Sequence, residues 1–190
     1  MTGAVFLDRD GVLIENREDY VKDWSEVEFL PGCFSGMRTL AATGLPIVLV
    51  TNQSAIGRRI ITAEFVEGLH ARMQAEIEAQ GGRIDAIYFC PHHPKAGCAC
   101  RKPLPGMLHQ AALDLSLDLS SSYFVGDAVT DLEAAHAVGA EGILVLTGRG
   151  TEQALKLETS GLDAHPPVAD LEAAAQWIVA HLSRKERGMS

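Results

Sequence analysis

Two short clusters of acids dominate the chemistry this chain could do. Asp8-Arg9-Asp10-Gly11 follows the apolar run Ala4 to Leu7, and Gly126-Asp127, with Asp131 shortly after, follows Tyr123 to Val125. Apolar runs of that length read as buried strands, and in an open parallel sheet ligand sites lie outside the strands' carboxyl ends. All four acids would converge there, and carboxylates crowded at one place need a cation between them. Oxygen ligands beside a phosphate seat suit a hard, partly hydrated ion, which is Mg2+ chemistry. Either cluster alone is weak, because Asp-x-Asp is common in loops and Gly-Asp with a later Asp is often a turn and a helix cap. Their order gives the pattern weight: Thr51 follows the second apolar run, Leu45 to Val50, and Arg101-Lys102 stands before a helix start, a credible anion seat.

A second constellation lies between Cys90 and Cys100, where Cys90, Cys98 and Cys100 surround His92 and His93. Three thiols and one imidazole at close spacing satisfy the tetrahedral Cys3His set of structural zinc. Such a site has no open position, so its ion would shape the loop rather than perform chemistry. The loop runs straight into Arg101-Lys102, so zinc would fix the backbone that delivers both cations. A disulfide framework is the poorer reading, since the chain is neither small nor cysteine-dense. Cys33, on an expected helix, reads as a buried small apolar group.

Strands alternating with helices must position these groups. Expected strands are Ala4 to Leu7, Leu45 to Val50, Ala86 to Phe89, Tyr123 to Val125 and Gly142 to Leu146. Helices are expected between Pro31 and Gly44, after a Thr62 cap with Phe65, Leu69, Met73 and Ile77 on one face, and over Pro105 to Leu115, Asp131 to Val138 and Leu171 to Leu182. Strands apolar throughout imply an α/β fold, a Rossmann-like parallel sheet sandwiched by helices. The chain of 190 residues, 47% apolar, can bury one sizeable core. We expect a single domain over 1–182 and a polar C-terminal tail over 183–190. A net charge of −9 argues against nucleic acid or an anionic membrane as partner. With neither a spanning run nor a basic leader, the chain reads as cytoplasmic.

The segments FLDRDG, VTNQS, CRKP and VGDAVTD resemble, in order, the four motifs of the haloacid-dehalogenase (HAD) superfamily, spanning Val5 to Asp131. The resemblance implies a phosphatase in which Asp8 attacks phosphorus and Asp10 serves as acid, then base. It further implies Mg2+ held by Asp8, the Asp10 carbonyl and Asp127, supported by Asp131, with phosphate held by Thr51 and Lys102. Cys-x-His followed by Cys-x-Cys-Arg-Lys-Pro narrows it to heptose-bisphosphate and histidinol-phosphate phosphatases, small enzymes without a large cap domain and expected to be monomers. It is these relatives that select His92 over His93 as the zinc ligand. VTNQSAIGRR and CRKPLPGM look more like the heptose enzymes, which implies a phosphorylated sugar as substrate, contacted by Asn16, Asp19, Tyr20, Asn52, Gln53, Ser54 and Arg101.

Two substitutions and a spacing depart from that pattern. Val12 stands where threonine is usual, Ala128 replaces a basic residue after Asp127, and the short metal loop suits histidinol-phosphate enzymes equally well. Arg58 and Arg59 suit a second phosphate or plain solvation, whereas Glu15, Glu18 and Asp19 would suit an amine. A reading of another class is a non-catalytic zinc-loop module that only binds sugar phosphates.

Overall fold

The computed structural model describes residues 1–162 and 165–188. Six parallel strands form one sheet in the order β3-β2-β1-β4-β5-β6. They are β1 (Val5–Leu7), β2 (Ile47–Asn52), β3 (Ala86–Cys90), β4 (Tyr123–Gly126), β5 (Glu141–Val145) and β6 (His165–Val168). The helices are α1 (Cys33–Ala42), a single turn α2 (Ser54–Gly57), α3 (Ala63–Ala79), α4 (Gly106–Leu115), α5 (Val129–His136), α6 (Gly150–Ser160) and α7 (Leu171–Glu186).

Side chains alternate across a strand, so the central strands feed two cores and must be apolar at every position. Val5, Leu7, Ile47 and Leu49 face one way, against Met37 and Leu40 of α1, Leu69, Met73 and Ile77 of α3, and Ala174 and Ile178 of α7. Phe6, Val48, Val50 and Phe124 face the other, against Met107, Leu108 and Ala111 of α4 and Ala134 and Ala135 of α5. Cys33 belongs to the first core, and burial pushes its thiol up to about 12, as a small apolar group rather than a ligand requires. Thr62 caps α3 by accepting from the Phe65 amide.

Besides the single turn α2, which was not expected, three elements depart from expectation. α6 and β6 follow the last expected strand. The β6 sequence His-Pro-Pro-Val has no apolar alternation, and prolines are tolerated there because the strand is an edge. α6 buries only Gly150, so it adds almost nothing to the core. α7 does not stop at Leu182 but continues through Glu186, into the segment expected to be tail, with Ser183 Oγ donating to the Val179 carbonyl. Residues 189 and 190 lie outside the described residues. Among the described residues no cap domain is inserted, and no helix is long and apolar enough to cross a membrane. In place of a cap, the β1–α1 connection folds over the sheet rim, stitched by the bridges Asp10↔Ile14 and Ile14↔Phe29.

Candidate active site

β1 ends where Asp8 makes its last sheet contact, its amide donating to the Val125 carbonyl at 3.0 Å. The chain then turns sharply, and Gly11 sits at φ +83°, where any Cβ would collide with the Asp127 carboxylate. Glycine is compelled here because Asp8, Asp10 and Asp127 must share one rim. Lys102 reaches this rim from the segment before α4. Its Nζ lies 3.0 Å from Asp8 Oδ1 and 2.8 Å from Asp131 Oδ1, and donates to the Val50 carbonyl at 2.8 Å. Lys102 and Asp131 are both buried. Burial works against the lysine's charge, but Asp131 and Asp8 overcome it and raise its pKa, so it stays protonated. Asp131 is pushed upward by burial and drawn back by Lys102. Both Asp131 oxygens are engaged, one by Lys102 and one by the Ala128 amide at 3.2 Å, which suits a supporting role.

Asp10 is held at both oxygens, by Arg9 Nη2 at 2.9 Å and Gln53 Nε2 at 3.0 Å. The same Gln53 amide donates to Thr51 Oγ1 at 2.9 Å, leaving the Thr51 hydroxyl hydrogen to donate elsewhere. Asn52 bonds the backbone of Lys102 twice, accepting from its amide at 3.1 Å and donating to its carbonyl at 3.2 Å.

Asp127 meets a group the sequence reading missed. Arg149, just beyond β5, forms a two-pronged pair with it, Nη2 at 2.9 Å from Oδ1 and Nε at 3.2 Å from Oδ2. Even so, burial and the Asp8 charge hold the Asp127 pKa above its usual range. Carboxylate oxygens of Asp8, Asp127 and Asp131 lie within 4.8 Å of one another. A Cβ at Gly148, as at Gly11, would press on Asp127, so two glycines make room for this carboxylate and for Arg149 against it. A hard divalent cation fits that donor set.

The second cluster also comes together. Sγ of Cys90 lies 3.6 Å from Cys98 Sγ and 3.3 Å from Cys100 Sγ, and His92 Nδ1 lies 3.6 Å from Cys90 Sγ and 3.2 Å from Cys100 Sγ. Tetrahedral bonds of about 2.3 Å to sulfur and 2.0 Å to nitrogen need edges of roughly 3.8 and 3.5 Å, so a zinc-sized ion fits with small adjustments. His92 faces the sulfurs; His93 instead packs its backbone on Gly57 and accepts from the Lys95 amide.

Comparison with known proteins agrees with this geometry. The HAD-hydrolase-like family profile matches residues 99–174. A D-glycero-β-D-manno-heptose-1,7-bisphosphate 7-phosphatase of Yersinia pestis is 39% identical, covering 95% of this chain and 91% of its own length. One of Pseudomonas aeruginosa is 42% identical, over 77% of this chain and 82% of its own. A crystal structure of D,D-heptose 1,7-bisphosphate phosphatase from B. bronchiseptica, complexed with magnesium and phosphate, superposes with a TM-score of 0.86 at 36% identity, covering 95% of this chain and 99% of that one. The chain belongs to the HAD phosphatases.

In this HAD phosphatase a cavity of about 440 Å³ opens over Asp8 and Asp10. Asn16, Tyr20, Thr51, Asn52, Gln53, Ser54, Arg101 and Lys102 line it, as do Arg17, Glu18, Arg58 and Arg149. Asp19, expected among the substrate contacts, does not: its carboxylate is taken by Lys22 and Arg17 outside the cavity. Lys22, the nearest partner, also holds the Asp19 pKa down. Asn52 and Gln53 spend their amides on Lys102 and on Asp10 and Thr51, so they brace the site as well as line it. Ser54 Oγ stands 3.5 Å from Tyr20 Oη, which joins the overlying loop to the sheet rim. Val12 and Ala128 are both buried packing residues.

Proposed function

We propose that this phosphatase acts as a monomer in the cytoplasm and removes the 7-phosphate of D-glycero-D-manno-heptose 1,7-bisphosphate, using Mg2+ and a structural zinc. The observation that carries the reading is the arrangement of one cavity: a nucleophile-acid pair with a buried lysine at its floor, and Arg17, Arg58, Arg101 and Arg149 around it. A bisphosphate needs two positive regions; with Arg149 held on Asp127 and Arg17 on Asp19, Arg58 and Arg101 supply the second one. Among the acids raised as partners for an amine, only Glu18 lines the cavity, so histidinol phosphate is less well served. Arg101 Nη1 is shielded from solvent and has no hydrogen-bond partner among the described residues, a donor suited to a substrate oxygen.

The chain's own groups divide the work. Asp8 Oδ1 is occupied by Lys102 and by the Arg9 amide at 2.7 Å, which leaves Oδ2 to attack phosphorus. As that O–P bond forms, the P–O bond to the sugar breaks and Asp10 gives its proton to the leaving oxygen. Water then attacks the aspartyl phosphate, Asp10 takes a water proton, and the Asp8–phosphorus bond breaks to release phosphate. Thr51 donates to an equatorial oxygen, and Lys102, its three hydrogens spent on Asp8, Asp131 and the Val50 carbonyl, contributes its positive charge beside them. Asp8, the Asp10 carbonyl and Asp127 would hold Mg2+, which when bound supplies the charge that offsets repulsion between nucleophile and phosphate. Zinc on Cys90, His92, Cys98 and Cys100 would stiffen the backbone entering Arg101-Lys102.

The test is initial rates on the heptose bisphosphate, histidinol phosphate and a panel of sugar monophosphates with Mg2+. The heptose bisphosphate should have the highest kcat/KM; histidinol phosphate in that place would overturn the substrate while leaving the chemistry. A parent protein that released no more phosphate than its Asp8→Asn variant would favour the non-catalytic reading.

A further inference from the structure

His70 is the polar member of an otherwise apolar face. α3 buries Val66, Leu69, His70, Met73 and Ile77, and His70 is only 3% exposed. Its Nε2 lies 3.2 Å from Nη1 of Arg9, a residue equally buried and flanked by the two catalytic aspartates. Guanidinium only donates and keeps its charge in proteins. Nε2 must therefore be the acceptor, and the imidazole is neutral with its proton on Nδ1. Burial and the Arg9 charge both work against an imidazolium, so the ring stays neutral down to about pH 3. Phe89 of β3 meets the ring edge-on at 5.7 Å between centroids and restrains its rotation.

The other arm of Arg9 donates to Asp10 Oδ1 at 2.9 Å and to Gln53 Oε1 at 3.0 Å. Three acceptors thus fix the plane of one buried fork. We propose that His70 is a positioning residue for the acid/base step, holding Arg9 so that its second arm stays on Asp10. The inference rests on the reading of Asp10 given above. Without an acceptor at position 70, Nη1 would be a buried charged donor with nothing to bond, and the fork would turn to find a partner. Asp10 would then keep Gln53 but lose its other anchor.

Three variants and one spectrum test this. His70→Leu, in the full chain with Mg2+, should lower kcat/KM for an alkyl sugar phosphate by about 10²-fold, as expected for a misplaced reacting group. The loss on p-nitrophenyl phosphate, whose leaving group needs no proton, should stay under about 10-fold. His70→Gln, whose amide oxygen can accept from Arg9, should return the alkyl rate to within about 3-fold of the parent. In 15N spectra His70 should be the neutral Nδ1–H tautomer. Equal losses on both substrates, no loss in a folded His70→Leu, no rescue by Gln, or a proton on Nε2 would each overturn the proposal. If His70→Leu does not fold, His70→Gln and the tautomer decide. Asp10→Asn separates the failures: if it keeps the alkyl rate, the underlying mechanism is wrong; if it loses that rate while His70→Leu does not, only the role of His70 falls.

Discussion

Replacing Lys102 with alanine should damage stability as well as turnover, and the size of the effect follows from the lysine's surroundings. Its ammonium is buried, 3.0 Å from Asp8 and 2.8 Å from Asp131, with the Val50 carbonyl as third partner. Truncation leaves two largely buried carboxylates facing each other at the floor of the cavity. Breaking a buried pair by removing one partner costs about 3–5 kcal/mol. At 2–4 °C per kcal/mol for a domain of roughly this size, the melting temperature should fall by roughly 6–20 °C. The deficit should shrink as pH falls through about 7, where Asp131, its pKa raised to about 7 by burial, takes up a proton and the repulsion ends. Calorimetry of parent and variant across that range, in chelator so that no divalent ion substitutes for the lysine, gives the comparison. A loss under about 1 kcal/mol above pH 7 would mean that Lys102 is not the counter-charge of this rim, and a deficit that grows on acidification would refute the electrostatic argument.

Other consequences are equally specific. Stripping zinc with a selective chelator, with Mg2+ restored, should cut turnover on the sugar phosphate by about 10-fold or more, because Cys100 directly precedes the Arg101-Lys102 pair; normal rates from a demonstrably zinc-free enzyme would break that coupling. Asn52→Ala, which removes both bonds to the Lys102 backbone, should cost about 1–3 kcal/mol in urea unfolding and lower turnover in step. His70 implies an acid instability of known sign. The unfolded chain takes up a proton on this ring near pH 6.5 and the folded chain not until about 3, so this stability is complete above 6.5 and is lost as pH falls between the two. The slope, about 1.4 kcal/mol per pH unit, should be missing from His70→Gln in matched urea titrations.

Much of the fold was legible because β1 to β5 are largely apolar runs, β1 and β4 leading directly into acids, and because Thr62 and the α3 stripe follow local rules. The cluster of Cys90, His92, Cys98 and Cys100 was legible because its members lie within one short segment. β6 and α6 were not, since an edge strand of prolines lacks apolar alternation and α6 places almost nothing in the core. The site residues that were missed depend on contacts between distant segments. Arg149 could have been suspected, because β5 ends at the same rim as β1 and β4, so a charged residue just past it lands beside Asp127. His70, next to Leu69 of the α3 stripe, carries no local signal, and its role shows only once Arg9 is placed against it. Asn52 and Gln53 were taken for substrate contacts from resemblance alone, and no local pattern shows that their amides are turned inward to Lys102 and Asp10.

The claim on which the rest depends is that Asp8 becomes covalently phosphorylated. Rapid acid quench of the enzyme turning over the heptose bisphosphate with Mg2+, followed by peptide mass spectrometry, should find the phosphoryl group on Asp8 and none in Asp8→Asn. A phosphoryl group on any other residue, or steady turnover by Asp8→Asn, would contradict it.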